Sequence, residues 1–267
     1  MRINLEGAGV LRTKEGEIHG AQGCVWVSKH KGPFYFNGEA IKAVAIPVLI
    51  GHRGAGAGKD RNENTITSVK ICEEIDAMAE IDVQLTKDRD VVVFHDLEIE
   101  GVKIEDISTK ELQEMGVVLL KDLLSETRLD LNIEIKYEQQ KISVVEWCEK
   151  IVEVVEESRG SRDIVYSSFC REICEEIIRR KYHALFLTEI LNEEVIEYAS
   201  ISKCLGVVTV SSEVLAKPSL VSAIKGKFMY ILTYGEENKK IETVTIQRMY
   251  GVDGFITDEV QILSKFI

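Results

Sequence analysis

The feature that most constrains the fold is an alternation of short apolar segments with longer amphipathic segments from about residue 47 onward. The apolar segments have the length of β-strands, and strands that alternate with helices indicate βα units and a parallel sheet. The predicted strands are Pro47–Gly51, Ala79–Leu85, Leu129–Lys136, Ile164–Phe169, Ala184–Thr188, Gly206–Ser211, Met229–Tyr234 and Gly254–Asp258, with Val91–His95 as an additional apolar segment.

The segments between these strands show the periodicity of helices. Apolar Val145, Cys148, Val152 and Val155 recur at three- and four-residue spacing, which predicts a helix with one face toward the core. About eight such units match a (β/α)8 TIM barrel, an α/β fold of about 250 residues, and an open doubly wound sheet is the alternative. The predicted helices are Asn64–Ala77, Ile142–Ser158, Arg171–Lys181, Asn192–Lys203 and Glu236–Tyr250.

The chain divides on this pattern into residues 1–46, an N-terminal extension, and residues 47–267, the barrel domain. In the extension, Cys24–Ser28 and Pro33–Phe36 have the composition of short strands on either side of His30-Lys31-Gly32. We therefore expect a short β-rich extension that closes one end of the barrel.

Charge and cysteine content narrow the class of protein. The net charge of −12 disfavours nucleic acid as a partner and repels anionic ligands unless local cations intervene. The six cysteines contain no C-x-x-C pair, which favours a reduced, cytoplasmic protein over a disulfide or zinc protein. The chain starts without the apolar stretch of a secretory signal, and the longest apolar run, Ala43–Ile50, is too short to cross a bilayer.

The first candidate for chemistry is Gly51-His52-Arg53-Gly54, directly after an apolar strand. Barrel enzymes build their active sites at this end of their strands. Arginine matches phosphate oxygens, and histidine titrates near neutral pH. The following glycine-rich stretch Gly54–Lys59 is not a Walker A motif, because Asp60 stands where Ser or Thr is required. We expect a mobile loop over the site instead.

The second candidate is the pair Glu80 and Asp82, which lie two residues apart and so share one face of a strand. Two carboxylates inside a barrel repel each other, and a divalent cation removes that conflict. Hard oxygen ligands suit Mg2+ or Ca2+. The alternative is an edge strand with a solvated acidic face.

Two further segments end in chemically active residues. The apolar strand Val91–Phe94 is followed by His95 and Asp96, although a lone histidine in this position is more often structural. Glu134 and Lys136 again share one strand face, where the lysine requires a negative partner such as Glu134 or a substrate phosphate. A plain structural ion pair is the alternative for this second pair.

The order of these motifs is more specific than any one of them, and it resembles the glycerophosphodiester phosphodiesterase family, which folds as a (β/α)8 barrel. The likeness runs from about Val48 to the end of the chain, and the long glycine-rich loop is similar to the eukaryotic intracellular branch associated with glycerophosphocholine. The motifs are His52-Arg53-Gly54, Glu63-Asn64-Thr65, Glu80-Ile81-Asp82 within the longer stretch Glu80–Asp88, His95-Asp96, Glu134-Ile135-Lys136, Ser167-Ser168-Phe169, Phe186-Leu187-Thr188, Leu232–Glu237 and Gly251–Asp258.

The resemblance implies a role for seven residues, all of which we expect at strand ends of one barrel. They are His52 and His95 as general acid and base, Glu80, Asp82 and Glu134 as ligands of one divalent metal ion (Mg2+ or Ca2+), and Arg53 and Lys136 as phosphate ligands. The metal and the two cations would offset the acidity of the chain.

The activity that the resemblance implies is hydrolysis of a small-molecule glycerophosphodiester, glycerophosphocholine being favoured, to sn-glycerol 3-phosphate and an alcohol. We expect neither nucleic acid binding nor stable membrane insertion. A lipid phosphodiesterase resembling phospholipase D or phosphatidylinositol phospholipase C is one alternative. A catalytically silent binding protein is another, and the presence of all seven residues argues against it.

Three departures from the family pattern stand out. Asn62 replaces a proline that often precedes Glu-Asn-Thr, a change we expect to be harmless. Tyr234 replaces a common tryptophan near the end of the seventh predicted strand, which is expected to affect the fit of the alcohol. The N-terminal extension is shorter than the regulatory module found in many eukaryotic relatives.

Overall fold

The computed structural model describes residues 48–56, 62–138, 140–158 and 160–267, together with the backbone of four strands before residue 42. The chain separates into two compact units, Met1–Ile46 and Pro47–Ile267. Within the described part of the chain, none of the helices has the length and apolar composition needed to cross a membrane.

The N-terminal unit is one antiparallel sheet built from Arg2–Thr13, Gly16–Trp26, Phe34–Phe36 and Glu39–Ile41. The predicted strands at residues 24–28 and 33–36 overlap two of these, but Arg2–Thr13 was not predicted. Its pairing with the next strand shifts register between Leu5 and Val10, so no regular alternation marks it as a strand. Residues 27–33, which include His30-Lys31-Gly32, lie outside the described residues.

The barrel consists of parallel strands that close on themselves, because the last strand pairs with the first at Ile256 and Ile50, and the first pairs with the second at Ile50 and Met78. This closure confirms the predicted (β/α)8 barrel and excludes the open doubly wound sheet. The strands are β1 (Leu49–Gly51), β2 (Met78–Leu85), β3 (Leu131–Ile135), β4 (Ile164–Ser168), β5 (Ala184–Thr188), β6 (Gly206–Val210), β7 (Tyr230–Tyr234) and β8 (Gly254–Thr257).

The helices cover the outside of the barrel, and the five predicted ones are present with shorter ends. Asn64 and Thr65 precede the first helix, and Glu236–Lys239 is a separate 3-10 turn. The α-helices are α1 (Ile66–Glu74), α2 (Thr109–Glu114), α3 (Leu120–Glu126), α4 (Val144–Ser158), α5 (Arg171–Arg179), α6 (Glu193–Ile201), α7 (Ser211–Ala216), α8 (Pro218–Gly226), α9 (Ile241–Tyr250) and α10 (Val260–Leu263).

Helix α4 shows how burial selects the helix face. Trp147, Cys148, Ile151 and Val155 are all fully buried in it. Val145, which was predicted on the same face, is 48% exposed. It lies in the first turn, at the edge of the buried stripe, so that part of the prediction was wrong.

Strand β2 is longer than its barrel neighbours because it continues beyond the barrel. Its last residues pair antiparallel with Val91–Val93, which in turn pairs with Val118–Leu119. A separate apolar cluster lies under this extension and includes Val92, Ile104 and Leu112. The segment that carries His95 begins where the antiparallel strand Val91–Val93 ends.

The side chains of β2 and β3 alternate between two environments. The apolar members, such as Ile81 and Ile133, belong to the main core. The alternate positions carry Glu80, Asp82 and Glu134, which are buried as well. One face of each strand therefore builds the core, and the other face supplies charged groups to the interior of the barrel.

The described cysteines are all free, and four of these five are buried. Their burial agrees with the prediction that they pack as small apolar residues.

Gly51 is predicted to be sensitive to substitution because its backbone passes close to other atoms at the end of β1. A Cβ atom there would lie 2.4 Å from Cys72 Sγ and 2.5 Å from the Gly54 carbonyl oxygen. Gly51→Ala should lower the free energy of unfolding by about 1–3 kcal/mol in a urea titration.

The matched control is Gly226→Ala, at the last position of α8, where no heavy atom lies within 4 Å of a new Cβ. We expect this change to be neutral or to stabilise by up to about 1 kcal/mol. Equal destabilisation by the two substitutions would contradict the account of Gly51.

Candidate active site

The turn after β1 brings His52 and Arg53 over β2. The His52 backbone N–H donates to the Thr257 carbonyl oxygen at 3.0 Å, which ties the turn to β8. The Arg53 N–H donates to Glu80 Oε2 at 2.8 Å. Arg53 adopts a φ of 53°, a left-handed conformation that is rare for a residue with a side chain. This bent turn points the Arg53 N–H at the Glu80 carboxylate of the barrel interior.

Glu80, Asp82 and Glu134 form a compact carboxylate cluster at this end of the barrel. One oxygen of each lies within 4.8 Å of one oxygen of each of the others. Their exposed fractions are only 2%, 1% and 8%. The strand register brings them together, because Glu134 on β3 is paired with Asp82 on β2.

Two cationic side chains contact this cluster. Lys136 Nζ lies 3.0 Å from Asp82 Oδ1 and also contacts Glu134 Oε1. Arg53 Nε lies 3.6 Å from Asp82 Oδ2, and its Nη1 donates to Glu63 Oε1 at 2.8 Å. Asp82 is thus the carboxylate that both cations share.

The protonation of the cluster follows from these contacts. Burial and the neighbouring Asp82 raise the pKa of Glu80 to about 8. The same two causes raise the pKa of Glu134. Burial also acts to raise the pKa of Asp82, but Lys136, His95 and other partners outweigh it and the pKa falls. For Glu134, burial and Asp82 thus outweigh the contact with Lys136, and no Lys or Arg side chain contacts Glu80 among the described residues.

The cluster has the donors that a hard divalent cation requires. The three ligand groups are carboxylates, and Glu80 Oε1 is buried without a hydrogen-bond partner among the described residues. Oxygen ligands of this kind suit Mg2+ and Ca2+. The residues therefore fit a divalent cation, and no second group of this geometry occurs within the described ranges.

His52 is held by a carboxylate from the opposite end of the sequence. Its Nδ1 lies 2.6 Å from Asp258 Oδ1, and Lys239 Nζ lies 2.9 Å from Asp258 Oδ2. Burial acts to lower the pKa of His52, but Asp258 and Glu80 outweigh it and the pKa rises. With Nδ1 engaged, Nε2 is the ring atom available for proton transfer.

His95 is held by its sequence neighbour. Its Nδ1 lies 2.7 Å from Asp96 Oδ1, which again leaves Nε2 available. Burial lowers the pKa of His95, Lys136 and Arg53 act in the same direction, and Asp82 and Asp96 oppose them only in part. The two histidines therefore have pKa values displaced in opposite directions.

A cavity of about 1030 Å3 adjoins the cluster, and His95, Glu134 and Lys136 line part of it. Its other walls carry the rings of Tyr137 and Phe169 and several acidic side chains, namely Asp96, Glu98, Glu138 and Glu172. The Tyr234 ring stands edge-on to the Phe169 ring at 6.5 Å between centroids.

The expectation that all seven predicted residues lie at barrel strand ends was wrong in detail. His52, Arg53 and Lys136 do follow β1 and β3. Glu80 and Asp82 lie within β2, because that strand continues beyond the barrel to pair with Val91–Val93. Glu134 lies within β3, and His95 follows the added antiparallel strand rather than a barrel strand.

The sequence did not predict a role for several residues that contact the cluster or the side chains around it, namely Glu63, Asn64, Asp258 and Lys239. Asn64 Nδ2 donates to Asp82 Oδ2 at 2.8 Å, and the Asp82 N–H donates to Asn64 Oδ1 at 3.1 Å. Glu63, Asn64 and Asp258 all lie in motifs that carried the family resemblance, which was the available signal. Lys239 lies in none of them. The glycine-rich loop prediction involves residues 57–61, which lie outside the described residues.

The chain is similar in sequence to known phosphodiesterases. The chain is 25% identical over 295 residues to a glycerophosphodiester phosphodiesterase, GDPD3, of Arabidopsis thaliana, a match that covers 85% of this chain and 80% of the relative. It is 27% identical to the glycerophosphocholine phosphodiesterase GPCPD1 of Mus musculus, covering 80% of this chain but only 44% of the relative.

Solved structures support the fold. A glycerophosphodiester phosphodiesterase from Parabacteroides distasonis superposes with a TM-score of 0.70 at 23% identity, covering 82% of this chain and 97% of that chain. A phosphodiesterase from Oleispira antarctica, solved in complex with sn-glycerol-3-phosphate, superposes with a TM-score of 0.73 at 20% identity, covering 82% of this chain and 96% of that chain.

The sequence profile of the glycerophosphoryl diester phosphodiesterase family matches residues 52–262, which include all seven predicted site residues. The chain therefore belongs to the glycerophosphoryl diester phosphodiesterase family.

Proposed function

We propose that this phosphoric diester hydrolase cleaves glycerophosphodiesters with His52 and His95 as the acid–base pair and one divalent cation held by Glu80, Asp82 and Glu134. The observation that carries the proposal is the arrangement of the two histidines. Each has Nδ1 engaged by a carboxylate and Nε2 available, and both act electrostatically on the same carboxylate cluster. We assign the activity to residues 47–267, and a cytoplasmic location stays a prediction from the sequence.

The phosphate group is bound by charge in this proposal. A divalent cation at the carboxylate cluster supplies Lewis-acid polarisation and offsets the negative charge of the diester. Arg53 and Lys136 are the basic side chains in contact with the cluster and would orient the phosphate oxygens. Burial raises the pKa values of Glu80 and Glu134. Added positive charge would therefore stabilise the ionised forms of these two carboxylates most.

The histidines would divide the proton transfers between them. The lowered pKa of His95 suits a base that takes the proton from a glycerol hydroxyl as that oxygen attacks phosphorus. The raised pKa of His52 suits an acid that protonates the leaving alcohol as its bond to phosphorus breaks. Water would then open the resulting cyclic phosphate and yield sn-glycerol 3-phosphate.

Glycerophosphocholine is the substrate that the cavity favours. Five acidic side chains and two aromatic rings line it, and this combination would stabilise a quaternary ammonium group. The mouse relative is named a glycerophosphocholine phosphodiesterase, and the Oleispira antarctica structure contains sn-glycerol-3-phosphate. Tyr234, which contacts Phe169 at the cavity wall, would influence the fit of the alcohol.

The roles of the two histidines are tested by substitution. His52→Ala and His95→Ala should each lower kcat for release of choline from glycerophosphocholine by about 10²–10⁴-fold, since each removes one proton transfer. His183→Ala is the matched control, because His183 precedes β5 at the other end of the barrel. Wild-type turnover in either site variant would overturn the acid–base assignment.

The contact between Asp258 and His52 is tested by the pH dependence of kcat. Asp258→Asn removes the charge that raises the pKa of His52, so the limb of the kcat–pH profile that reports His52 should move to lower pH. Lys239→Met removes a positive charge from the other oxygen of Asp258 and should leave that limb in place or move it to higher pH. An unmoved limb in Asp258→Asn would show that Asp258 does not act on a catalytic histidine.

The cation is tested by thermal unfolding without substrate. Mg2+ or Ca2+ should stabilise the fold by about 2.7 kcal/mol at 100 times its Kd, and Glu80→Gln should abolish this effect. Glu176→Gln is the control, since Glu176 is buried but paired with Arg179 and Arg180 instead. A rise in melting temperature that survives in Glu80→Gln would place the cation elsewhere.

The stabilisation of the fold by Mg2+ or Ca2+ should depend on pH. Folding raises the pKa of Glu80 from 4.5 to about 8, so this group destabilises the cation-free fold as pH rises through that interval. A bound cation displaces the proton, and its stabilising effect should therefore grow as pH rises toward 8.

A further inference from the structure

Gln84 is a buried amide on the same strand face as the carboxylates Glu80 and Asp82. The three residues alternate along β2, and alternate residues of a strand share one face. Only 1% of the Gln84 surface is exposed. It lies past Asp82, where β2 has left the barrel and pairs with Val91–Val93. Gln84 therefore shares the strand face of two cluster carboxylates, and its amide contacts the segment that carries His95.

The two hydrogen bonds of this amide bracket His95. Gln84 Nε2 donates to the Phe94 carbonyl oxygen at 3.0 Å and to the Asp96 carbonyl oxygen at 2.8 Å. A side-chain amide has two N–H donors, and both are used here. The carbonyls that it binds belong to the residues immediately before and after His95.

Residues 94–97 have no secondary structure that would fix them. The preceding strand ends at Val93, and the next short strand begins at Glu98. The Phe94 N–H donates to the Asp82 carbonyl oxygen at 3.0 Å, which anchors the start of the segment to β2. Gln84 anchors it again on both sides of His95.

We propose that Gln84 is a positioning residue that acts through His95. By holding both flanking peptide groups, it fixes the backbone from which the imidazole reaches the cavity, while Asp96 fixes the ring. One strand face then carries two ligands of the cation and the group that places the histidine beside them. The inference rests on the proposed function, because it requires His95 to exchange a proton with the substrate.

The test is a double-mutant cycle with glycerophosphocholine at saturating Mg2+. Gln84→Met keeps the side-chain length and removes both donors. Alone it should lower kcat by about 10–100-fold with KM changed by less than about 3-fold, since misplacement of a reacting group by about 1 Å costs up to about 10²-fold. In the His95→Ala background the same change should lower kcat by less than about 3-fold.

Two results would overturn the inference. Wild-type kcat in Gln84→Met would show that the two hydrogen bonds do not matter for turnover. A full loss that persists in the His95→Ala background would show that Gln84 does not act through His95. Wild-type kcat in His95→Ala would remove the proposed function together with the inference, whereas the first two results leave the proposed function standing.

A control separates positioning from general loss of stability. Thr127→Val removes a buried hydrogen bond, from Thr127 Oγ1 to the Leu123 carbonyl oxygen at 2.8 Å, at the other end of the barrel. It should lower the melting temperature and leave kcat unchanged. If Gln84→Met does not fold, Gln84→Asn enters the same cycle. It keeps an amide that is one methylene group shorter, and a smaller loss of kcat with the same dependence on His95 is expected.

Discussion

Three carboxylates lie buried side by side at one end of the barrel, and their mutual repulsion determines what must surround them. Burying a charge without compensation costs several kcal/mol, so each neighbour supplies a donor or a cation. Asn64 donates to Asp82, the Arg53 N–H donates to Glu80, and Lys136 bridges Asp82 and Glu134. These donors leave Glu80 Oε1 without a partner among the described residues, and that is the deficit a divalent cation would remove.

The two histidines of the acid–base pair are held beside this cluster in two different ways. His52 follows β1 and is held by Asp258, which follows β8, so closure of the barrel brings the two together. His95 follows an antiparallel extension of β2 and is held by its neighbour Asp96 and by the amide of Gln84. The cation ligands and both histidines thus depend on the register of β1, β2, β3 and β8.

The sequence predicted the site residues better than it predicted the contacts that hold them in place. Periodicity revealed the barrel because short strand segments rich in apolar residues alternate with longer amphipathic segments. The ordered motifs predicted a cluster that the structure brings together at Glu80, Asp82 and Glu134. The contact between His52 and Asp258 spans 206 residues and depends on barrel closure, which periodicity does not encode. His95 follows an antiparallel strand whose position depends on pairing with the end of β2, which periodicity does not reveal either. The exposure of Val145 depends on how the helices pack.

The most direct test of the central claim follows the phosphorus atom of glycerophosphocholine by 31P NMR with the wild-type chain and Mg2+ or Ca2+. A hydroxyl of the glycerol group attacks phosphorus in this account, so the phosphate stays on glycerol. The predicted result is a single new resonance of sn-glycerol 3-phosphate with an equal amount of free choline, and no turnover after chelation. Formation of phosphocholine and glycerol, or hydrolysis undiminished by a chelator, would contradict it.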